Sequence, residues 1–281
     1  SNTAPIHCPV PLVLTLHDII FLEPRQGGNR SWYQNMGWYY RRMVVPRILS
    51  QCEKIITVSH FECNRIREAL QLPKDKITAI YNGYSEHFRP LSETLSITRK
   101  YIDDDDYIFF LGNTDPKKNV ARTLKAYSLY LKQSDKKRPL LIADLSKDKL
   151  DAILREQQIE EIKPYLSYPG YIPNKDLAYL YNGAFVFLYT SLRESFGIPM
   201  LEAMACGTPV ITGNTSAMPE IAGEGGILVN SLNAKEIAEK ILYLEQDQIF
   251  YQNQIKYGLN RVQKFSWAQT AENLLSLYKT I

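Results

Sequence analysis

The sequence predicts an α/β chain built as two successive series of parallel strands and helices. Three observations carry that reading. Short apolar runs of strand length recur, and helical segments separate most of them. A polar stretch over 84–106, without long apolar runs, divides the third run from the fourth. Two later runs end in turns that contain glycine, as strands of an open α/β sheet do at the edge where ligands bind.

In the first series "PLVLTL" (11–16) is a buried strand, and "WYYRRMVVPRIL" is helical in part, with Pro46 as a kink or boundary. "KIITVS" (54–59) is the second strand, and "HFECNRIREALQL" follows as a helix with Ser59 as its cap. "KITAIYNG" (76–83) is a third strand ending in a turn. Strand, helix, strand, helix, strand in this order predicts a right-handed parallel unit. The stretch 84–106 reads as a linker with one short helix.

The second series opens with "YIFFLG" (107–112), the helix "NVARTLKAYSLYLKQ" and the strand "PLLIAD". A helix around 146–159 and the turn-rich "YPGYIPNKDL" come next. "AFVFLYT" is a strand, and 198–206 is a helix stopped by Gly207 as a left-handed cap. "TPVIT" and "GILV" are strands, and helices over about 233–245, 248–263 and 267–280 close the chain. A full dinucleotide-type lobe has about five or six strands. The first series has three, so the first lobe is expected to be incomplete in this chain.

Composition bounds the function. The 281 residues suffice for one large domain or two modest ones, and 45% apolar with 22% charged residues is an ordinary globular balance. A net charge of +3, from 33 basic and 30 acidic residues, argues against nucleic acid as a partner and permits a mild attraction to anions. Cys8, Cys52, Cys63 and Cys206 stand far apart without C-x-x-C, which favours mostly buried thiols in a reducing compartment over disulfides or zinc. The histidines are as scattered, and no metal-ligand spacing appears. No apolar run reaches the roughly 18 residues of a spanning helix, and no signal peptide is visible, so a cytoplasmic location is expected. Ser1-Asn2-Thr3 reads as a tag remnant.

Three segments carry candidate chemistry. In "SLRESFGIPMLEAMACGTPVI" (191–211), Glu194 and Glu202 stand eight positions apart around a Phe-Gly-Ile-Pro turn. Gly197 lets the backbone approach a ligand, and Pro199 fits the first helical turn. The free N–H groups and dipole of that turn favour a phosphate. Glu202 falls just over one turn in, roughly 6 Å along the axis from Ile198. The alternative is that both acids are solvent-facing residues of a helix start, but an acid within the apolar "LEAMA" is costly unless used. In "FLGNTDPKKNV" (110–120) a strand ends in Gly112, and Lys117 and Lys118 open a helix. Cations there oppose the dipole unless a polyphosphate lies between; a solvated Lys-Lys pair is the plainer reading. His17, after the first strand in "LTLHDIIF", suits a hydroxyl contact or acid–base work, against the common structural role of a lone histidine.

"ESFGIPMLEAMACGTPVI" resembles the E-x7-E signature of retaining nucleotide-sugar glycosyltransferases of family four, which have the GT-B fold of two Rossmann-like lobes. "LHDIIF", "KIITVSHFECNRI", "ITAIYNGYSEHFRP", "LGNTDPKKN", "GYIPNKDLAYLYNGA", "SAMPEIAGEGGILV" and "FSWAQTAENLLSLY" resemble family segments in order, over nearly the whole chain. The resemblance implies a partial acceptor lobe over 1–88, a linker over 89–106, a donor lobe over 107–265 and a closing helix over 266–281 that packs back on the first lobe. It implies that Glu194 holds the donor hexose near its reacting carbon and that His17 contacts the transferred sugar. Backbone at Phe196, Gly197 and Ile198 would meet sugar and phosphate, Glu202 the ribose, and Tyr171 and Ile172 the base. Lys117 and Lys118 would neutralise the pyrophosphate. Lys117 stands where the family usually has Arg, keeping the charge without the fork. Ser195 stands where Gly is usual, and the family's Gly-rich loop after its first strand is not in this chain.

The family's reaction keeps the anomeric configuration without metal or other cofactor, a leaving phosphate oxygen taking the acceptor proton. No D-x-D stands at a strand end, and "DDDD" (103–106) reads as a solvated charge run. The expectation is transfer of a hexose, mannose by likeness to bacterial mannosyltransferases, from a nucleoside diphosphate sugar to a glycan or lipid-linked acceptor. A sugar-nucleotide epimerase on the same fold and a donor-binding chain with impaired transfer are the alternatives. No G-x-G-x-x-G follows a strand, which argues against a dehydrogenase. An uncovered sheet edge in the first lobe would favour self-association. Over 25–54, six basic residues (Arg25, Arg30, Arg41, Arg42, Arg47, Lys54) stand against Glu53, with Trp32, Trp38, Tyr33, Tyr39 and Tyr40 among them. Peripheral contact with the inner face of a membrane and a helix packed on its own lobe are the two readings of that segment.

Overall fold

The structure is a computed structural model that describes residues 5, 7–23 and 32–281, with the side chains of 32–35 outside that description. The chain divides into two compact units, Ser1–Gly83 with Trp267–Ile281, and Tyr84–Ser266.

The first unit holds β1 (Leu12–Thr15), α1 (Trp32–Ile48), β2 (Cys52–Thr57), α2 (His60–Leu70) and β3 (Ile77–Ala79). The strands form a parallel sheet in the order β1-β2-β3. Leu14, Leu16, Val45, Ile48, Ile55 and Ile66 are buried together as its core. Ser59 caps α2 by accepting a 3.2 Å hydrogen bond from the Glu62 N–H. Pro46 does not end α1 but lies inside it. Val44, Val45 and Ile48 on the inner face are buried, and that packing carries the helix through the proline.

On α1, Met36, Tyr39, Tyr40 and Met43 are exposed at helical spacing. Arg41 and Arg47 donate to the carbonyls of Gly37 and Met43, Arg42 reaches the carbonyl of Glu23 and lies 4.4 Å from the Trp38 ring centre, and Lys54 donates to the carbonyl of Asp75. Arg25, Arg30 and the side chains of Trp32 and Tyr33 lie outside the described residues. No described helix is long and apolar enough to cross a membrane. Cys52 and Cys206 are buried, Cys8 and Cys63 partly so, and no disulfide joins them.

The second unit runs α3 (Leu95–Thr98), β4 (Tyr107–Leu111), α4 (Val120–Leu131), β5 (Leu140–Ala143), α5 (Lys147–Gln157), β6 (Leu166–Gly170), α6 (Asn174–Gly183), β7 (Ala184–Tyr189), α7 (Ile198–Ala205), β8 (Val210–Gly213), α8 (Met218–Ala222), β9 (Gly226–Val229), α9 (Ala234–Gln246) and α10 (Gln248–Val262). Its sheet has the order β6-β5-β4-β7-β8-β9, parallel throughout. That is the dinucleotide-binding order, in which the succession of strands reverses between the first and fourth. Here the reversal lies between β4 and β7. β5, β8 and nearly all of β4 and β7 are buried, as a parallel sheet with both faces covered requires.

The stretch expected as a linker packs on this unit instead. Phe88 is buried with its ring edge-on to Tyr181, the Leu91 N–H donates to Asn182 Oδ1 at 2.8 Å, and the Tyr101 hydroxyl donates to Asp176 Oδ2 at 2.5 Å. Its anchors are single residues rather than runs, so periodicity does not reveal them. The acidic run 103–106 is partly paired, Asp105 with Arg99 and Asp106 with Arg138. The last helix, α11 (Trp267–Tyr278), groups with the first unit, where Thr270 Oγ1 donates to the carbonyl of Tyr81 at 2.7 Å.

At the amino-terminal edge of the larger sheet, Arg138 and Glu245 are 5% and 8% exposed and 2.5 Å apart. Arg138 also reaches Asp106 at 2.5 Å and lies 3.7 Å over the Phe185 ring. Glu245 accepts from Tyr130 at 2.8 Å and Ser134 at 2.9 Å. Arg138→Ala should destabilise the protein by about 3–5 kcal/mol in denaturant unfolding, because Glu245 stays buried without its countercharge. Arg138→Met combined with Glu245→Gln should recover most of that loss; a double variant no more stable than Arg138→Ala would mean that the pair is not what holds this edge.

Candidate functional site

The strand reversal leaves two loops side by side at the carboxyl edge, one after β4 and one after β7. Gly112 begins the first, its N–H donating to the Ala143 carbonyl at 3.0 Å. A Cβ on Gly112 would stand 3.2 Å from the side chains of Ile142 and Phe110, tighter than ordinary contact. Asn113 Oδ1 accepts from the Asp115 N–H and Asp115 Oδ1 from the Lys117 N–H, so the loop turns on its own side chains. Lys117 and Lys118 lie in a single 3-10 turn, and α4 begins two residues beyond Lys118, at Val120. The expectation that these lysines open the helix itself is corrected: Asn119, at φ 59°, stands between turn and helix.

The second loop leaves β7 through buried Thr190 and Ser191. The Glu194 N–H donates to Ser216 Oγ at 3.0 Å, and the Glu194 carbonyl accepts from the Ala217 N–H at 3.3 Å. Lys118 Nζ reaches Glu194 Oε1 at 2.7 Å, with side chains 16% and 11% exposed. The same ammonium lies 4.9 Å from the centre of the Tyr189 ring. Burial, then the Glu194 carboxylate beside it, pushes the Tyr189 hydroxyl well above its ordinary pKa. Lys117 joins the two loops by its backbone, its carbonyl accepting from the Leu192 N–H at 2.7 Å.

Gly197 caps α7 at φ 105°, in the left-handed region, and a Cβ there would lie 2.5 Å from Met200 Cε. Phe196 is buried edge-on to Phe265, while Ile198 and Pro199 begin α7. One turn in, Glu202 is partly buried and its Oε2 accepts from the Tyr181 hydroxyl at 3.4 Å. Burial raises the Glu202 pKa to about 7, and the Tyr181 hydrogen bond opposes the rise. Burial and the neighbouring Glu202 push the Cys206 thiol up to about 12. After β6, Tyr171 is 77% exposed and Ile172 is buried.

Lys117, Lys118, Glu194, Phe196, Gly197, Ile198 and Glu202 thus lie on the two loops and the start of α7, with Gly112 at the base of the first loop. Tyr171 and Ile172 follow the third strand of the same sheet. His17 belongs to the first unit, half-buried just after β1, where burial lowers its pKa against the opposing effect of Asp18. Sequence reasoning missed Asn119, Tyr181, Ser216 and Ser231. Only Asn119 carried a signal, as an Asn directly before a helix.

The arrangement offers a cation, a carboxylate, the first N–H groups of α7 and a second carboxyl, partly buried, at one sheet edge. Residues 95–261 match the family described as Glycosyl transferases group 1, and residues 3–87 match Glycosyltransferase Family 4. Over 273 residues the chain is 29% identical to the O-antigen chain mannosyltransferase B of Escherichia coli, covering 96% of this chain and 70% of that protein. It is 27% identical to the serotype-specific mannosyltransferase WbdA of the same organism, covering 94% of this chain and only 32% of that much longer protein. Among solved structures, sucrose-phosphate synthase of Thermosynechococcus elongatus aligns with TM-score 0.75 at 23% identity over 95% of this chain and 67% of that one. Anabaena HepE in complex with UDP-glucose aligns with TM-score 0.77 at 17% identity over 96% and 72%. These neighbours establish the fold as GT-B.

A carboxyl with its pKa raised to about 7 binds its proton more tightly folded than unfolded. Its burial therefore costs nothing at pH below about 4.5, costs more as pH rises, and costs most above pH 7. Glu202→Gln should accordingly be more stable than the parent at pH 8, by about 1–3 kcal/mol, with the difference shrinking toward pH 5. Thermal unfolding of both proteins across that range measures it; a gap independent of pH would show that Glu202 is not buried as an acid.

Proposed function

The chain belongs to the group 1 glycosyl transferases, and on that premise we propose that it transfers mannose from a nucleoside diphosphate sugar to a glycan or lipid-linked acceptor, with retention and without a metal. The observation that carries this reading is the Lys118–Glu194 pair at the strand reversal, beside the start of α7. Crevices at such reversals are where α/β sheets bind nucleotides. The N–H groups at the start of α7 suit a phosphate, and Lys117 and Lys118 add the positive charge a diphosphate requires. Glu202, one turn further, suits the paired hydroxyls of a ribose. Glu194, held by Ser216 and Lys118, suits a sugar hydroxyl near the reacting carbon. Exposed Tyr171 beside buried Ile172 suits the face of a base.

In the reaction the bond from the anomeric carbon to the β-phosphate oxygen breaks, and a bond from that carbon to the acceptor oxygen forms on the same face. The acceptor's proton passes to the departing phosphate oxygen. Lys118 stabilises the charge growing on that phosphate, and donor binding must re-aim the ammonium away from Glu194. His17 is assigned to contact the transferred sugar. Mannose and the glycan acceptor are supported by the names of the curated relatives, and a nucleotide-sugar donor by the UDP-glucose complex of a structural neighbour. The exposed Met36, Tyr39, Tyr40 and Met43 with Arg47 on α1 support a peripheral contact with the membrane that presents the acceptor.

Thermal stabilisation by GDP-, UDP- and TDP-sugars tests the donor assignment, since a ligand of the folded state raises stability with its concentration. One of them should stabilise the protein, and Lys118→Ala should weaken that binding by about 1–3 kcal/mol; an unchanged affinity would remove Lys118 from the site. Transfer of mannose to a lipid-linked glycan should survive EDTA and leave the product's anomeric configuration that of the donor. Activity abolished by chelator and restored by Mn²⁺ would sink the metal-free mechanism.

A further inference from the structure

Asn119 is buried at 6% exposure between Lys118 and the first residue of α4. Its backbone is left-handed at φ 59°, a conformation Asn tolerates better than most residues. Its Nδ2 donates to the carbonyl of Thr190 at 3.1 Å and to the carbonyl of Ser231 at 2.7 Å. Its Oδ1 accepts from Arg122 at 3.2 Å. Both amide hydrogens and the amide oxygen are therefore engaged. Thr190 begins the loop that carries Glu194, and Ser231 lies in the loop after β9. The amide thus links three carboxyl-edge loops.

Neighbouring bonds repeat the connection. Thr123 Oγ1 lies 2.6 Å from Thr190 Oγ1 and donates to the Asn119 carbonyl at 3.0 Å, and Ser231 Oγ donates to the Ser191 carbonyl at 3.1 Å. We propose that Asn119 is a positioning residue, whose carboxamide fixes the Lys118 loop against the Glu194 loop and so sets where Lys118 meets the donor's diphosphate. The inference rests on the donor-site reading given above. Only an amide serves here. Both partners of Nδ2 are carbonyls, so a carboxylate of the same shape would set oxygen against oxygen and bury a charge. Alanine leaves two buried carbonyls without their donor. Glycine keeps the left-handed turn open and removes only the amide, which separates backbone shape from the link between loops.

The test measures affinity for a nucleoside diphosphate and for the corresponding nucleoside, by calorimetry, in the parent, Asn119→Gly, Asn119→Ala, Lys118→Ala and the double variants. If Asn119 acts through Lys118, Asn119→Gly should weaken the diphosphate by about tenfold or more and leave the nucleoside unchanged. In the Lys118→Ala background the same change should cost little further, since the group it positions is gone. Equal losses for nucleoside and diphosphate, or a full loss that persists without Lys118, would overturn the proposal and leave Asn119 as a structural cap. A lowered melting temperature with unchanged affinity would overturn it as well. A parent protein that binds neither compound would instead defeat the donor-site reading itself.

Discussion

The reversal of strand order between β4 and β7 is the constraint on which the rest of the second unit depends. Neighbouring crossovers there lead to opposite faces of the sheet, so the loops after β4 and β7 part and leave a crevice at the carboxyl edge. What lies across that crevice is an ion pair rather than a gap. Lys118 and Glu194 lie on the loops after two strands adjacent in space and are 76 residues apart in the chain. Both are largely shielded, and a shielded charge keeps its partner close because it has little water to turn to. The pair holds the Lys118 ammonium and the Glu194 carboxylate each in one orientation at that edge.

Glu202 illustrates the opposite arrangement. It has a hydroxyl from Tyr181 and no cationic partner among the described residues, and it is partly buried on a helix whose buried residues are Met200, Leu201, Ala203, Met204 and Ala205. A core optimised for folding alone would place an apolar residue at such a position. Acids retained against that preference gather at sites where a ligand supplies the missing hydrogen bonds. Tyr181 is also enclosed by Phe88, Phe109 and Phe187, so the group that steadies Glu202 is itself fixed by the aromatic centre of the unit.

Much of this was legible in the residues. The strands of the first unit, most of those in the second, the cap at Ser59 and the turn at Gly197 follow from apolar runs and from residues with few conformational options. β6 was hidden because it is an edge strand: "LSYPG" is only half-buried, ends in Pro169 and Gly170, and reads as a turn. Without β6 the strand order cannot be written, and without the order the crevice has no address. The linker reading of 84–106 failed for a related reason. Phe88, Leu91 and Tyr101 each hold one point on α6, and isolated anchors leave no period to detect. The candidate acids and lysines were visible as types at a spacing. Their pairing was not, because Lys118–Glu194 and Asn119–Ser231 join loops that only the finished sheet brings together.

The two edges of the larger sheet are chemically unlike. At the amino end Asp106, Arg138 and Glu245, with Tyr130 and Ser134, form a shielded polar knot that holds strand starts to the ends of α4 and α9. At the carboxyl end the loops carry the Lys118–Glu194 pair and lead into α7. An edge that fastens and an edge of loops can change independently, because four to six residues of buried strand separate them. Lineages built on such a frame are free to drift in what they bind while keeping what makes them fold. The close superposition of this chain on proteins that share fewer than one residue in four with it is the trace such a history would leave.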